Sequence, residues 1–324
     1  MPSPAAIRNT TDGSSQAPRL RRDFNMGTLT DLPADSTGPR GDERSVLQAI
    51  KQAGYQGVQG GDRTIARELG LGWSTGGRVN QPQEADGFAR SCREQGAEAG
   101  TLHVGWGMES DLEIDRLVAA IIESSHKHQV PIYIETHRAT ITQDIWRTVG
   151  IAKRHPEVRF NADFSHWYTG LEMVYGDITA KFDFLAPVFE RVRFMHGRIG
   201  NPGCMQVDCG DGRGLTFVDH FREMWTRSFQ GFLSSAQPGD FISFCPELLH
   251  PSIYYARTIP DGHGDSRTDS GAAPTGLGRG TIRLLTGDHD QILGYTWTTL
   301  HTSIIYLSDR HLLKVVRLTL DSHP

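Results

Sequence analysis

The sequence predicts an α/β chain folded as a (β/α)8 TIM barrel, with an atypical C-terminal segment replacing or distorting the last helix. Three observations carry that expectation. Eight short apolar runs recur along the chain, most are separated by segments of helical period, and together they span about 225 residues, the size of one such barrel. Several runs lack strict polar alternation, as parallel strands covered on both faces should.

The elements follow in order. Residues 1–18 have almost nothing large and apolar to bury and are expected to form a disordered leader. The runs expected to be strands are Leu20–Met26, Gly54–Val58, Leu69–Trp73, Ala99–Val104, Val130–Ile134, Val158–Phe164, Val192–Met195 and Phe241–Phe244. Val46, Leu47, Ile50 and Ala53 mark a helix that Gly54 ends. Ser110-x-x-Glu113 is a capping-box pattern, followed by Ile114, Leu117, Val118, Ile121 and Ile122 on one face. Thr140-x-x-Gln143 is expected to open a helix carrying Ile145, Val149 and Ala152. The structural rival is a doubly wound open sheet, but no Gly-rich phosphate fingerprint follows the first strand.

Composition narrows the function classes. The 324 residues include 37% apolar residues and 36 glycines, ordinary for a globular chain. No apolar run reaches membrane-spanning length and no secretory signal is visible, so the expectation is a cytoplasmic protein without a membrane partner. Four cysteines do not make a disulfide framework, and Cys204 and Cys209 are too isolated for a zinc site. A net charge of -5 argues against nucleic acid as a partner and leaves a small molecule.

In such a barrel, chemistry sits where strands end. Strand five ends in Glu135, strand six leads to Asp163, strand seven to His196 and strand eight to Glu247. The intervals of 28, 33 and 51 residues correspond to two single β/α units and one with an inserted loop. Glu135, Asp163, His196 and Glu247 should therefore converge. Three carboxylates and an imidazole suit one divalent metal, Mn, Mg, Co or Zn, and three anions without a cation would repel. Taken singly, each has a plainer role: a strand-end carboxylate caps a helix, His196 is an interior histidine, and Asp163 with His166 is a loop pair. Register across four strands is what favours the metal.

His166 and Arg198 are placed to bind substrate oxygens, with a structural salt bridge as the alternative for Arg198. His103, at the end of strand four, Trp106 and Trp73 are candidate pocket walls. His137 faces the same way as Glu135 only if the strand continues. The loop Asn201 to Gly214, with Gln206, Asp208 and Asp211, is either a cover for substrate or a surface turn.

At these residues the sequence resembles the xylose isomerase-like TIM barrels, the superfamily of sugar and sugar-phosphate isomerases and epimerases. Ile134-Glu135-Thr136-His137-Arg138, Asp163-x-x-His166, His196-x-Arg198 and Pro246-Glu247-Leu248-Leu249 look like its metal and substrate motifs. The resemblance spans about Leu20 to Ile259. It implies proton transfer beside a carbonyl of a small sugar through an enediolate, with Glu135 and Glu247 as catalytic residues and metal ligands. His166 and Arg198 would offset developing negative charge. It also implies a homo-oligomer, since members often form dimers or tetramers. The superfamily includes apurinic endonucleases, whose three-zinc constellation is not assembled here. A dehydratase or lyase on a polyol or keto-sugar is the second enzyme reading. A binding protein or catalytically inactive barrel is the third.

Beyond Pro260 the character changes. Residues 248–324 contain no Glu, against 14 in the first 247. Asp265 to Gly280 is Gly/Ser/Thr-rich without helical period and reads as loop or disorder. Residues 19–260 are thus expected to be the barrel and 261–324 an atypical tail, loop-rich and then irregular. A frame-shifted or intron-derived origin near Asp265 accounts for the shift.

Overall fold

A computed structural model describes residues 5–30, 32, 38–207, 209, 212, 214–250, 253 and 255, with the backbone alone of 258–260 and 266–268. A two-residue strand, β1 (Thr10–Thr11), precedes eight parallel strands: β2 (Arg19–Asn25), β3 (Gly57–Gln59), β4 (Gly72–Val79), β5 (Gly100–Val104), β6 (Ile132–Glu135), β7 (Phe160–Ala162), β8 (Val192–His196) and β9 (Asp240–Cys245). Each pairs with the next, and β9 pairs back onto β2 from Arg19↔Phe241 to Arg22↔Phe244, closing the barrel. A closed sheet has no edges, so the doubly wound alternative is excluded.

All eight expected runs contribute to strands. The third differs most: Leu69–Trp73 is only the beginning of β4, which runs on to Val79. Gly76 and Gly77 hide that half from an apolar pattern. At Gly77 a Cβ would lie 2.5 Å from the Phe88 ring, so close helix packing requires the glycine there. Trp73 consequently sits low in the strand and packs with Phe24, Leu47, Ile50 and Val58, away from any pocket.

Helices cover the outside. Asp42 caps α1 (Glu43–Gln52), accepting from Ser45 N at 2.8 Å, and Gly54 follows it with φ +87°. α2 (Arg63–Glu68) and α3 (Glu84–Gln95) come next. The Ser110–Glu113 capping box opens α4 (Asp111–His128) as expected, and its apolar face is buried. α5 (Ile145–Arg154) is capped by Asp144, not Thr140. Thr140 instead donates its hydroxyl to His137 O at 2.6 Å, bracing the loop above β6. α6 (Ser165–Gly170), α7 (Ile178–Phe184) and α8 (Ala186–Phe189) precede β8, and α9 (Thr216–Leu233) precedes β9. No described helix is long and apolar enough to cross a membrane.

After β9 the described residues include a short antiparallel pair, β10 (Thr258–Pro260) with β11 (Ser266–Thr268). Residues 266–268 are therefore paired strand, where loop or disorder is expected. The rest of the tail lies outside the described residues, and with it the expectation that the segment replaces or distorts the last helix.

The expectation of a disordered leader fails for residues 5–18. β1 lies antiparallel to the start of β9 (Thr10↔Phe241), and Ile7 is 1% exposed. Thr10 Oγ1 pairs with the Tyr133 hydroxyl at 2.9 Å, which also donates to Arg8 O, and Asn9 bonds Asp240 at 2.8 Å. The arm folds because the bottom of the barrel presents buried polar groups that need partners. A compositional reading does not see those groups.

Inside the barrel, strand alternation arranges the polar residues in layers. Positions 21, 23 and 25 of β2 all point inward. Arg21 grips Asp23 through two 2.8 Å bonds and reaches Glu98 at 2.7 Å, filling the lower end. Above it stand Asn25, Gln59 and Thr101, and above those the strand-end acids.

Replacing Ile7 with Ala should cost about 2–4 kcal/mol in a denaturant titration, the usual penalty for emptying a packed apolar site. An unchanged midpoint and slope would mean that the arm does not pack.

Candidate metal centre and active site at the barrel mouth

The alternation that layers the interior also delivers the site. On β5 positions 101 and 103 face inward, on β6 133 and 135, and on β7 161 with 163 just beyond. On β8 it is 196 with 198 beyond, and on β9 245 with 247 beyond. Gln59 is the last residue of β3. The candidate ligands all come from the C-terminal ends of strands or from the residues just beyond them, the face of such a barrel that carries its chemistry.

Three of the four expected ligands form a compact group. One donor atom each from Glu135, Asp163 and His196 lies within 4.8 Å of the others, and all three residues are buried. Glu247 stands beside this group: its Oε2 is 3.6 Å from His196 Nδ1, the same distance as from Nδ1 to Glu135 Oε1. Ligands spread around a 2.0–2.1 Å metal sphere lie about 3–4 Å apart, so this donor set fits a divalent cation. The fit has a second support. Asn161 Oδ1, His166 Nδ1 and Arg198 Nη1 are buried polar atoms with no hydrogen-bond partner among the described residues. Unsatisfied groups of this kind around a carboxylate cluster belong to a site built for an oxygen-rich ligand.

His166 and Arg198 join the centre as expected. Arg198 is fully buried; its Nη2 donates to Asp163 Oδ2, to His166 Nε2 at 3.0 Å and lies 3.2 Å from Glu247 Oε2. Its Nε donates to Ser165 Oγ at 2.9 Å, and Ser165 Oγ donates in turn to Asp163 Oδ1 at 2.6 Å. The salt-bridge reading and the substrate reading of Arg198 therefore both have a physical basis. Nη2 is committed to Asp163, while Nη1 is unpaired.

His103 also joins, donating Nε2 to Glu135 Oε1 at 3.1 Å. Trp106 does not. It is 57% exposed and lies under the Arg78 guanidinium, because the turn at Gly105 and Gly107 carries it outward. Gln206 is buried and clasps Leu249 through its amide, accepting from N at 2.9 Å and donating to O at 3.2 Å. It fastens the long loop to the segment after Glu247. Asp208 and Asp211 lie outside the described residues.

Four contributors stand out only in three dimensions. His137 belongs to the site although β6 ends at Glu135. Its ring packs at a tilt against those of His103 (centroids 4.1 Å apart) and His166 (3.8 Å), and the Tyr255 hydroxyl reaches its Nε2 at 3.3 Å. Tyr255 also covers Arg198, with the guanidinium carbon 4.6 Å from the ring centre. His103, Glu135 and His137 make a second group with donor atoms within 4.8 Å of one another. Asn25 and Gln59 reach the centre from β2 and β3. The sequence carries a weak signal for those two, a polar residue beside the end of an apolar run, but a neutral amide attracts less notice than an acid.

Burial and neighbouring charge push these groups apart. Burial raises Glu135, but His196 and His103 outweigh it and hold the carboxyl well below its usual range. Burial, helped by Glu135 and Asp163, pushes Glu247 up against the pull of His196 and Arg198. His196 resists its own desolvation because Glu247 and Glu135 face it, and rises to about 9. His137 falls to about 4 and His166 well below its ordinary value, both through burial, aided by His103 and Arg198 respectively. The mouth thus pairs a cationic imidazole among acids with two neutral imidazoles at its rim.

No protein-family model matches the chain, and no curated protein matches it. Solved structures similar in fold include the probable 3-DHS dehydratase involved in petrobactin synthesis from Bacillus anthracis. It has a TM-score of 0.47 and 12% identity, covering 72% of this chain and 94% of that one. They also include a xylose isomerase-like TIM barrel protein from Mycobacterium smegmatis in complex with magnesium (TM-score 0.45, 14% identity, 72% and 91% covered). A third is a sugar phosphate isomerase/epimerase from Parabacteroides distasonis (TM-score 0.45, 13% identity, 76% and 93% covered). Fold and site together define a closed parallel barrel with a carboxylate–imidazole centre at its C-terminal mouth.

Histidine NMR on metal-free protein should show His196 titrating near 9 and His137 near 4. The signs for stability differ. Raised His196 stabilises the fold fully below its unfolded value of about 6.5 and loses that contribution as pH rises through about 9. Lowered His137 withdraws stability as pH falls from about 6.5 toward about 4. Two histidines titrating at ordinary values would contradict the buried, charge-coupled geometry.

Proposed function

We propose that the chain is a divalent-metal-dependent isomerase or epimerase of a small sugar or sugar-like substrate. The single observation that carries this reading is the convergence of Glu135, Asp163 and His196 within one 4.8 Å group, with Glu247 facing them across His196. Glu135, Asp163, His196 and Glu247 would hold one ion, of the Mn, Mg, Co or Zn kind. When bound, it supplies Lewis-acid stabilisation of negative charge on vicinal substrate oxygens.

The chain's own residues divide the remaining work. Glu135, held ionised, accepts the proton from the carbon beside the carbonyl, and Glu247, with its raised affinity for protons, returns one from the other side. His166 accepts from Arg198 at Nε2, so its neutral ring carries its hydrogen on Nδ1, where it donates to a substrate oxygen. Arg198 Nη1 offers a second, permanently charged donor. Burial of the whole set keeps water from competing for these bonds.

A dehydratase or lyase is the second reading, favoured by the cluster of His103, His137 and His166 with Tyr255 beside it. The Tyr255 hydroxyl, 3.3 Å from His137 Nε2, would give its proton to a departing hydroxyl, a role that an isomerase does not require.

Elemental analysis and Mn(II) titration should find about one ion per chain, with Glu135→Gln and Asp163→Asn each weakening affinity at least tenfold. Because His196 must lose its Nδ1 proton to bind, affinity should fall roughly tenfold per pH unit below about 9. Incubation with aldoses and ketoses then separates the reactions: isomerisation conserves substrate mass, whereas dehydration lowers it by one water. A folded chain that takes up no divalent metal contradicts both readings.

A further inference from the structure

Beneath the acids lies a chain of side-chain amides that the proposed mechanism does not use. Its polarity is fixed from one end by the backbone. Asn25 Oδ1 accepts from Gly27 N at 2.8 Å. A backbone N–H only donates, so the other end of the Asn25 amide is Nδ2, and it donates both to Glu247 Oε1 at 2.8 Å and to Gln59 Oε1 at 3.1 Å. The far end of the Gln59 amide, Nε2, donates to Thr101 Oγ1 at 2.9 Å. Gln59 Oε1 therefore faces His196 as an acceptor, 2.8 Å from Nε2, and that nitrogen must carry hydrogen. The one nitrogen left to offer a lone pair is Nδ1, the atom 3.6 Å from both Glu135 and Glu247.

We infer that Asn25 and Gln59 are positioning residues whose hydrogen-bond polarity, set by the Gly27 amide, commits His196 to the tautomer that presents Nδ1 to the acids and aims Glu247 at the same point. The metal-related part of this inference rests on the reading of the site as a metal centre; the tautomer does not. The neighbouring amide does not compete for the role. Asn161 Nδ2 is 3.4 Å from both ring nitrogens, which places it over the ring and along neither lone pair, and it donates to Glu135 Oε2 at 3.0 Å. Gln59 and Asn25 are 7% and 9% exposed, so water does not replace these bonds. A buried imidazole without such an acceptor would divide its hydrogen between two nitrogens and present the bare one to the acids only part of the time.

The test is a long-range 15N–1H correlation spectrum of His196 in the full, metal-stripped chain at about pH 10, above its protonation, run beside a Mn(II) titration of the same samples. In the wild-type chain Nε2 should be protonated and Nδ1 bare. Gln59→Leu should mix the tautomers and weaken Mn(II) binding about 10–100-fold, the usual effect of removing a residue that orients a ligand. Gln59→Glu keeps an acceptor at the same place and should retain the Nε2–H tautomer. A wild-type ring protonated at Nδ1, or a Gln59→Leu chain with an unaltered tautomer and affinity, overturns the inference. A wild-type chain with the expected tautomer but no Mn(II) uptake would remove the metal reading and leave the relay standing.

Discussion

Three carboxylates, Glu135, Asp163 and Glu247, are buried in the mouth of one parallel barrel, and their repulsion has to be answered by positive charge. In the structure the answer is His196, standing between Glu135 and Glu247, and Arg198, fully buried between Asp163 and Glu247. Each cation is itself costly to desolvate, so neither is stable there without the acids. The interdependence explains why the groups titrate so unlike their free forms. A divalent ion would supply the same compensation from the centre of the group, releasing His196 from its charge and Arg198 for substrate.

Packing beneath the site makes that arrangement rigid. The inward rows of β2, β3 and β5 supply an ion pair at the bottom and an amide layer above it, so each acid rests on side chains whose own partners are defined. The N-terminal arm seals the opposite end of the barrel, through Thr10 on Tyr133 and Asn9 beside Asp240. The mouth is chemically loaded, while the bottom is closed by hydrogen bonds. This division follows from parallel strands all ending on the same side.

Much of this was legible in the chain. Apolar runs located eight strands because buried parallel strands need apolar residues on both faces. The register of Glu135, Asp163 and His196 followed from counting β/α units. Other features were hidden for physical reasons. The apolar pattern of β4 is cut short by Gly76 and Gly77, the second of which lets Phe88 approach. The arm looked disordered because its stability comes from partners 120 or more residues away, such as Tyr133 for Thr10. Trp106 looked like a pocket wall, but the backbone turns at Gly105 and Gly107 send it to the surface. His137 is not placed by strand alternation, since it lies past the strand and enters the site through ring contacts with His103 and His166. Gln59 and Asn25 are chemically unremarkable until their neighbours are known.

The central claim is that four strand ends converge on one divalent ion. Its most direct test is an anomalous difference map from crystals soaked in Mn(II). One peak is expected, enclosed by Glu135, Asp163, His196 Nδ1 and Glu247, with the Arg198 contact to Asp163 Oδ2 loosened. A map with no peak there, and Arg198 still fastened to Asp163, would contradict it and leave the cluster as a self-neutralised ion-pair network.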